Sequence, residues 1–151
     1  MKVFLTVGTT RFDSLVRSVD AELNRASGIN MIFQTADTKY VPLNGESFDF
    51  AVDIEQYYHN ADLVVTHAGA GSIYKLLEMN KKIIVVPNLE RIDSHQKDIA
   101  EFLEENNYAM VAWDVKVVVE KIEASKKFTP AVYKKRKFFG APDMARYINA
   151  V

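Results

Sequence analysis

Short apolar runs alternate with segments of helical period from one end of the chain to the other. Lys2 to Val7 is mostly β-branched or apolar, the pattern of a strand buried on both faces. After the turn "GTTRFD", Asp13 is placed to cap a helix in which Leu15, Val16, Val19 and Leu23 recur at helical spacing until Gly28 stops it. Met31 to Gln34 reads as a second strand, Thr35 to Ser47 as a turn-rich connection with Pro42 and "NGES", and Phe48 to Val52 as a short third strand. Asp53, with Gln56 three residues later, resembles a capping box and predicts a short helix ending near Ala61. Leu63 to Thr66, Ile83 to Val86 and Tyr108 to Trp113 complete the predicted strands. Between them the pattern predicts helices from Ser72 to Met79 and from Asp93 or Ser94 to Asn106 and Asn107, and Asp114 caps another that reaches about Lys126.

Strands and helices alternating through short connections predict a parallel sheet covered on both faces, an α/β, doubly wound, Rossmann-like domain. No internal repeat or linker interrupts it, and 151 residues match a single domain spanning 1–151. The pattern changes after Phe128. "TPAVYKKRKFFGAPD" reads as a basic loop and "PDMARYINAV" as a last helix from about Pro142, so that 129–151 forms a tail of its own.

Composition narrows the classes. A formal net charge of -1 gives no global attraction to nucleic acid or anionic lipid. The basic run "YKKRKFF" is local, so nucleic-acid binding is not expected; such a run is usually a solvated face, and beside its aromatics docking on an anionic membrane surface or on a partner is also open. There are no cysteines, which excludes disulfides, thiolate metal sites and a cysteine nucleophile. "MKVFLTVGTT" lacks the apolar core and cleavage pattern of a signal peptide, and no run approaches the ~20 apolar residues that span a bilayer.

The candidate chemistry sits at two turns. In "LVVTHAGAGSIYKLLEMNKKIIVVPN" a strand passes into a helix through Gly69 and Gly71, two of only six glycines in the chain. Ligands of open parallel sheets bind beyond the carboxyl ends of strands, where glycines let them approach backbone and the amides of a helix N-terminus attract anions. A diphosphate suits such a turn, with His67 and Ser72 as further donors; equally, the glycines can serve only a tight turn with Ser72 as cap. A second strand-to-helix turn, Gly8, Thr9 and Thr10, supplies a small hydroxyl-bearing loop, itself also readable as an ordinary cap. The dinucleotide fingerprint G-x-G-x-x-G, the phosphate loop G-x-x-x-x-G-K-[ST], H-E-x-x-H and G-x-S-x-G are all absent, which argues against a nicotinamide enzyme in particular.

Three motifs in order, "VGTT.FD", "ADLVVTHAGAGSI" and "IIVVPN" followed by "SHQKDIAEFLEEN", resemble the C-terminal, donor-binding domain of family 28 glycosyltransferases of the GT-B fold. The likeness covers roughly Met1 to Asn107 and is strongest to short, free-standing members. These include the soluble subunit of the two-part enzyme that adds the second N-acetylglucosamine to dolichol diphosphate, and bacterial counterparts in exopolysaccharide and capsule synthesis.

The resemblance implies one half of a GT-B enzyme holding a UDP-sugar as donor substrate, with no further cofactor and no metal. It implies that Gly8, Thr9 and Thr10 and the turn Ala68, Gly69, Ala70, Gly71 and Ser72, with His67, embrace the diphosphate. The backbone at Ile54 faces the uracil, and His95 and Gln96 lie near the sugar. An amide both donates and accepts, which suits sugar hydroxyls. His67 and His95 are then ligand contacts rather than catalysts, and His59 is structural. The family usually has glutamate where this chain has Lys75, and "NHQ" where it has Ser94-His95-Gln96. Glu78, one helical turn beyond Lys75, substitutes only if ligand or helix is shifted; Lys75 is otherwise free to pair with phosphate.

The implied function is inverting transfer from a UDP-sugar to a polyprenyl-diphosphate-linked glycan of surface polysaccharide. A membrane-anchored partner supplies the acceptor site and the catalytic base, and holds the chain on the cytoplasmic face of the membrane. A non-catalytic nucleotide-sugar-binding or stabilising subunit is the alternative. An isolated half-enzyme is also a candidate for self-association.

Overall fold

The computed structural model describes residues 1–23, 28–89 and 95–134. Along the chain come β1 (Lys2–Thr6), α1 (Asp13–Glu22), β2 (Asn30–Gln34), β3 (Glu46–Phe48), α2 (Glu55–Asn60), β4 (Leu63–His67), α3 (Ala70–Glu78), β5 (Ile83–Val86), α4 (His95–Glu105), β6 (Met110–Val111) and α5 (Val118–Ala124). The strands pair in parallel in the order β3-β2-β1-β4-β5-β6. That order is the expected doubly wound arrangement, with its reversal between β1 and β4.

Successive strand residues face opposite sides, and the two sides carry separate cores. Val3, Leu5, Phe33, Val65 and Ile84 pack with Leu15, Val16 and Val19 of α1 and with Val118 and Ile122 of α5. Phe4, Val64, Ile83 and Val85 pack with Tyr58 of α2, Ile73, Leu76 and Leu77 of α3, and Ala100 and Leu103 of α4. The continuous apolar runs of β1, β4 and β5 follow from burial on both faces, each large side chain adding about 1.5–3 kcal/mol.

Several element ends differ from expectation. The third strand is Glu46–Phe48 instead of Phe48 to Val52. After Phe48 the chain leaves the sheet, because the Asp49 carbonyl accepts from Ala36 N–H at 3.1 Å and from the Gln34 side chain at 2.6 Å. The last strand is only Met110–Val111, paired with Ile84 and Val85 of β5. Helix α3 begins at Ala70, two residues before Ser72, with Gly69 as N-cap. Asp13 is a helical residue that accepts from Lys39 N–H; Phe12 holds the cap position. Asp53 accepts from Glu55 N–H at 3.1 Å, but the cap residue is Ile54 and no capping box forms. Asp114 caps as predicted, accepting from Lys116 N–H at 2.9 Å at the start of a 3-10 turn that runs into α5. The helix start at Asp93 or Ser94, the basic run from Lys135 onward and the helix from Pro142 lie outside the described residues. The described part of the tail continues past α5, with Ala131 N–H bonded to the Asn107 carbonyl and Tyr133 against Tyr74 and Tyr108.

Candidate functional site

At the reversal of strand order, β1 turns toward α1 on one face and β4 toward α3 on the other, which opens a crevice at the carboxyl edge between them. Gly8 follows β1 with φ of +66°, a left-handed conformation that favours glycine. A Cβ there would stand 2.5 Å from Cε1 of His67, and one at Gly69 would stand 2.4 Å from its Nε2. The imidazole that ends β4 is thus seated where two side chains would otherwise be. Gly8 and Gly69 admit this ring, whereas a Cβ at Gly71 would meet nothing within 4 Å. Of the two glycines in the α3 turn, the one facing open space is Gly71.

His67 Nδ1 is buried without a hydrogen-bond partner. Burial pushes the imidazole pKa below its ordinary value, so the ring is neutral at pH 7. No side chain caps the first turn of α3, leaving its N-terminal amides to other partners.

A cleft of about 230 Å³ joins the crevice. Gly8 and Thr9 line it from the first turn, Ser72 from α3, and Phe50, Ala51 and Ile54 from the β3–α2 connection; buried Thr6, Gln34 and Tyr58 complete its lining. This volume is below the ~300–1,000 Å³ of sites that enclose a whole drug-sized ligand. It has room for one part of an extended ligand, with the remainder lying along the open N-terminus of α3.

Four of the residues singled out in the sequence, Gly8, Thr9, Ile54 and Ser72, therefore meet in one cleft. His67 and Gly69 form the packed seat beside it, and Ala70 and Gly71 are exposed on the first turn of α3. The Ala68 side chain is buried in the core under α3, so what this residue presents to the turn is backbone. Thr10 is half-buried and does not line the cleft. Lys75 Nζ pairs with Glu55 Oε1 at 2.8 Å, and that hydrogen bond raises the lysine pKa, helped by the charge of nearby Glu78. The cation is thus engaged by α2 rather than held ready for phosphate. Gln96 Oε1 accepts from Asn88 N–H at 2.9 Å, tying α4 to the end of β5, and His95 is exposed at the start of α4; neither lines the cleft. His59 is exposed, with its carbonyl accepting from Lys81 Nζ.

Two contributors were not singled out. Gln34 ends β2 beneath the cleft, and Glu55 stands opposite Lys75. A glutamine closing an otherwise apolar strand at the ligand edge was the available signal for the first. Among the described residues, no group of three or more histidines and carboxylates could hold a metal ion.

The fold and crevice define a doubly wound α/β domain of the kind that forms half of a GT-B glycosyltransferase. Residues 2–138 match the model of the glycosyltransferase family 28 C-terminal domain, and the chain belongs to that family. It is 35% identical over 118 residues to the human UDP-N-acetylglucosamine transferase subunit ALG13, covering 70% of this chain and 10% of that protein. To the Kluyveromyces lactis protein of the same name it is 30% identical over 130 residues, 80% of this chain and 64% of the relative. The chain thus spans less than two thirds of these relatives. Among solved structures, the solution structure of ALG13 superposes with a TM-score of 0.64 at 24% identity, over 97% of this chain and 94% of that one. The Acinetobacter baumannii MurG structure gives a TM-score of 0.67 at 16% identity, over 85% of this chain and 41% of that one. At those identities both likenesses speak for the fold.

Proposed function

We propose that this chain is the donor-binding half of a two-part inverting glycosyltransferase, and that the cleft at the strand-order reversal receives a UDP-sugar. The observation that carries this reading is the meeting of Gly8, Thr9, Ile54 and Ser72 in one cleft beside a helix N-terminus that no side chain caps. The nucleoside end occupies the cleft along Ile54 and Phe50, and the diphosphate lies over Gly71 and the first amides of α3. There the helix dipole and N–H groups stabilise the charge that develops on the departing UDP. The names of the relatives favour N-acetylglucosamine as the sugar. The acceptor in this reading is a glycan linked to a polyprenyl diphosphate, presented by a membrane-anchored partner on the cytoplasmic face; synthesis of surface polysaccharide is the setting that the resemblance to free-standing bacterial members suggests.

A second reading, a nucleotide-sugar-binding subunit without a part in transfer, is favoured by one observation: Lys75 is engaged with Glu55, so α3 offers no carboxylate at that position for the ribose.

Calorimetric titration with UDP and UDP-N-acetylglucosamine tests the site, with Gly71→Asp as the diagnostic variant. The space around Gly71 is open, so the variant should fold, and an acid in the first turn favours the helix. In the site it opposes the diphosphate. Binding by the parent chain and a loss of tenfold or more in the variant are expected; unchanged affinity in the variant would remove the diphosphate from this turn.

A further inference from the structure

Gln34 is 2% exposed, at the carboxyl end of β2 under the cleft. Its Oε1 accepts from the Thr6 hydroxyl at 2.6 Å and from Gly8 N–H at 3.1 Å. Its Nε2 donates to the Gly8 carbonyl at 2.9 Å and to the Asp49 carbonyl at 2.6 Å. A primary amide has two acceptor sites and two donors, so all of its capacity is engaged by protein. It has nothing left for a ligand. What it does instead is grip both backbone polar groups of Gly8 and, through Asp49, the connection that carries Phe50, Ala51 and Ile54.

We propose that Gln34 is the positioning residue of the donor cleft, a single buried amide that sets the Gly8 turn and the 49–54 connection at the separation a nucleotide needs. The proposal rests on the reading of the cleft as the nucleotide site. It assigns to one side chain the coupling between the two walls. Thr6 orients the amide, because its hydroxyl donates to Oε1 while also accepting from Gly8 N–H at 3.1 Å. An ionised carboxylate in place of the amide keeps the two acceptor sites but loses both donors, leaving the Gly8 and Asp49 carbonyls facing negative charge. Protonation gives one donor back, and burial raises the pKa of such a carboxyl toward neutrality.

Gln34→Glu therefore supplies a test with its own pH signature. UDP affinity and thermal midpoint are measured on the full chain and on the variant between pH 5.5 and pH 8. At pH 8 the variant is expected to bind UDP at least tenfold more weakly at a temperature where it is fully folded, and to regain much of that loss as the pH falls; the parent chain in the same buffers reports whatever His67 contributes. A purely structural residue would lower the midpoint and leave affinity unchanged, and that result overturns the proposal, as does a pH-independent loss. If Gln34→Glu does not fold, Thr6→Val, which removes only the orienting hydroxyl, is expected to weaken UDP binding several-fold, and parent-like affinity there overturns the proposal. Failure of the parent chain to bind UDP would instead sink the reading of the cleft on which it rests.

Discussion

Two of the glycines in the candidate site are explained by a histidine. Gly8 and Gly69 flank the His67 ring so closely that either Cβ would overlap it. The turn at Gly69 has an extended backbone, φ -78° and ψ 122°, which alanine adopts without strain. Any cost of Gly69→Ala therefore comes from the ring alone. Overpacking of a tight site costs about 1–3 kcal/mol. Gly69→Ala is expected to destabilise the fold by that amount in urea titrations, and the loss should be largely absent when the same change is made in a His67→Ala background. Equal losses in both backgrounds would mean that the ring is not what the glycine accommodates. The sequence showed that glycines were needed at these turns but not for which neighbour, since the imidazole, the last side chain of β4, lies between the Gly8 and Gly69 turns only once the sheet is built.

At the scale of elements, the order of strands and helices was legible because each strand is a short apolar run between turn signals. Element ends were not. Where β3 stops is decided by the competition of Thr35, Ala36 and Gln34 for the carbonyls of Phe48 and Asp49, which is a property of the neighbouring strand and not of the run itself. The β2–β3 connection contains no helix, and two carboxylates of α1 fasten it: Asp13 accepts from Lys39 N–H, and Asp20 makes the larger set of bonds. Asp20, buried on α1, accepts from the Tyr40 hydroxyl at 2.6 Å, Leu43 N–H at 3.0 Å and Asn44 N–H at 2.8 Å. Burial pushes its pKa up, but the hydrogen bonds from Tyr40, Leu43 and Asn44 outweigh it and hold the carboxyl below its ordinary value of 3.8. The unfolded chain therefore takes up this proton first. The resulting stability is fully present above that ordinary value and is lost as the pH falls through the lower folded pKa. Asp20→Asn is expected to flatten the acid limb of the stability curve, and to cost about 1–3 kcal/mol at pH 7, where an amide cannot accept all three bonds as well. Hydrogen exchange at the Leu43 and Asn44 amides should accelerate in the variant. An unaltered acid limb would show that the loop is held by something else.

At the scale of the whole molecule, the question is what a single doubly wound domain can do by itself. The cleft residues are glycine, hydroxyl, amide and apolar or aromatic groups, with no carboxylate and no histidine among those that line it. His67 stands beside them, but its buried Nδ1 has no carboxylate or carbonyl to orient it or to stabilise a protonated ring. A general base needs both a low-cost protonated state and reach to the acceptor hydroxyl. What the described residues do offer an anion is the uncapped N-terminus of α3, and in the proposed reaction that anion is the departing UDP. Among the described residues no helix is long and apolar enough to cross a membrane. This division of labour predicts that the chain alone binds the donor yet transfers sugar slowly. With the cognate membrane subunit in vesicles, transfer to a polyprenyl-diphosphate-linked acceptor should rise at least 10²-fold, the lower end of what a positioned base contributes. Inversion at the anomeric carbon, read by NMR of the product, is expected, and the new pH dependence should follow a group on the partner, surviving His67→Asn in this chain. Efficient transfer by the chain alone, or a pH profile that His67→Asn abolishes, would move the base into this domain and end the two-part reading.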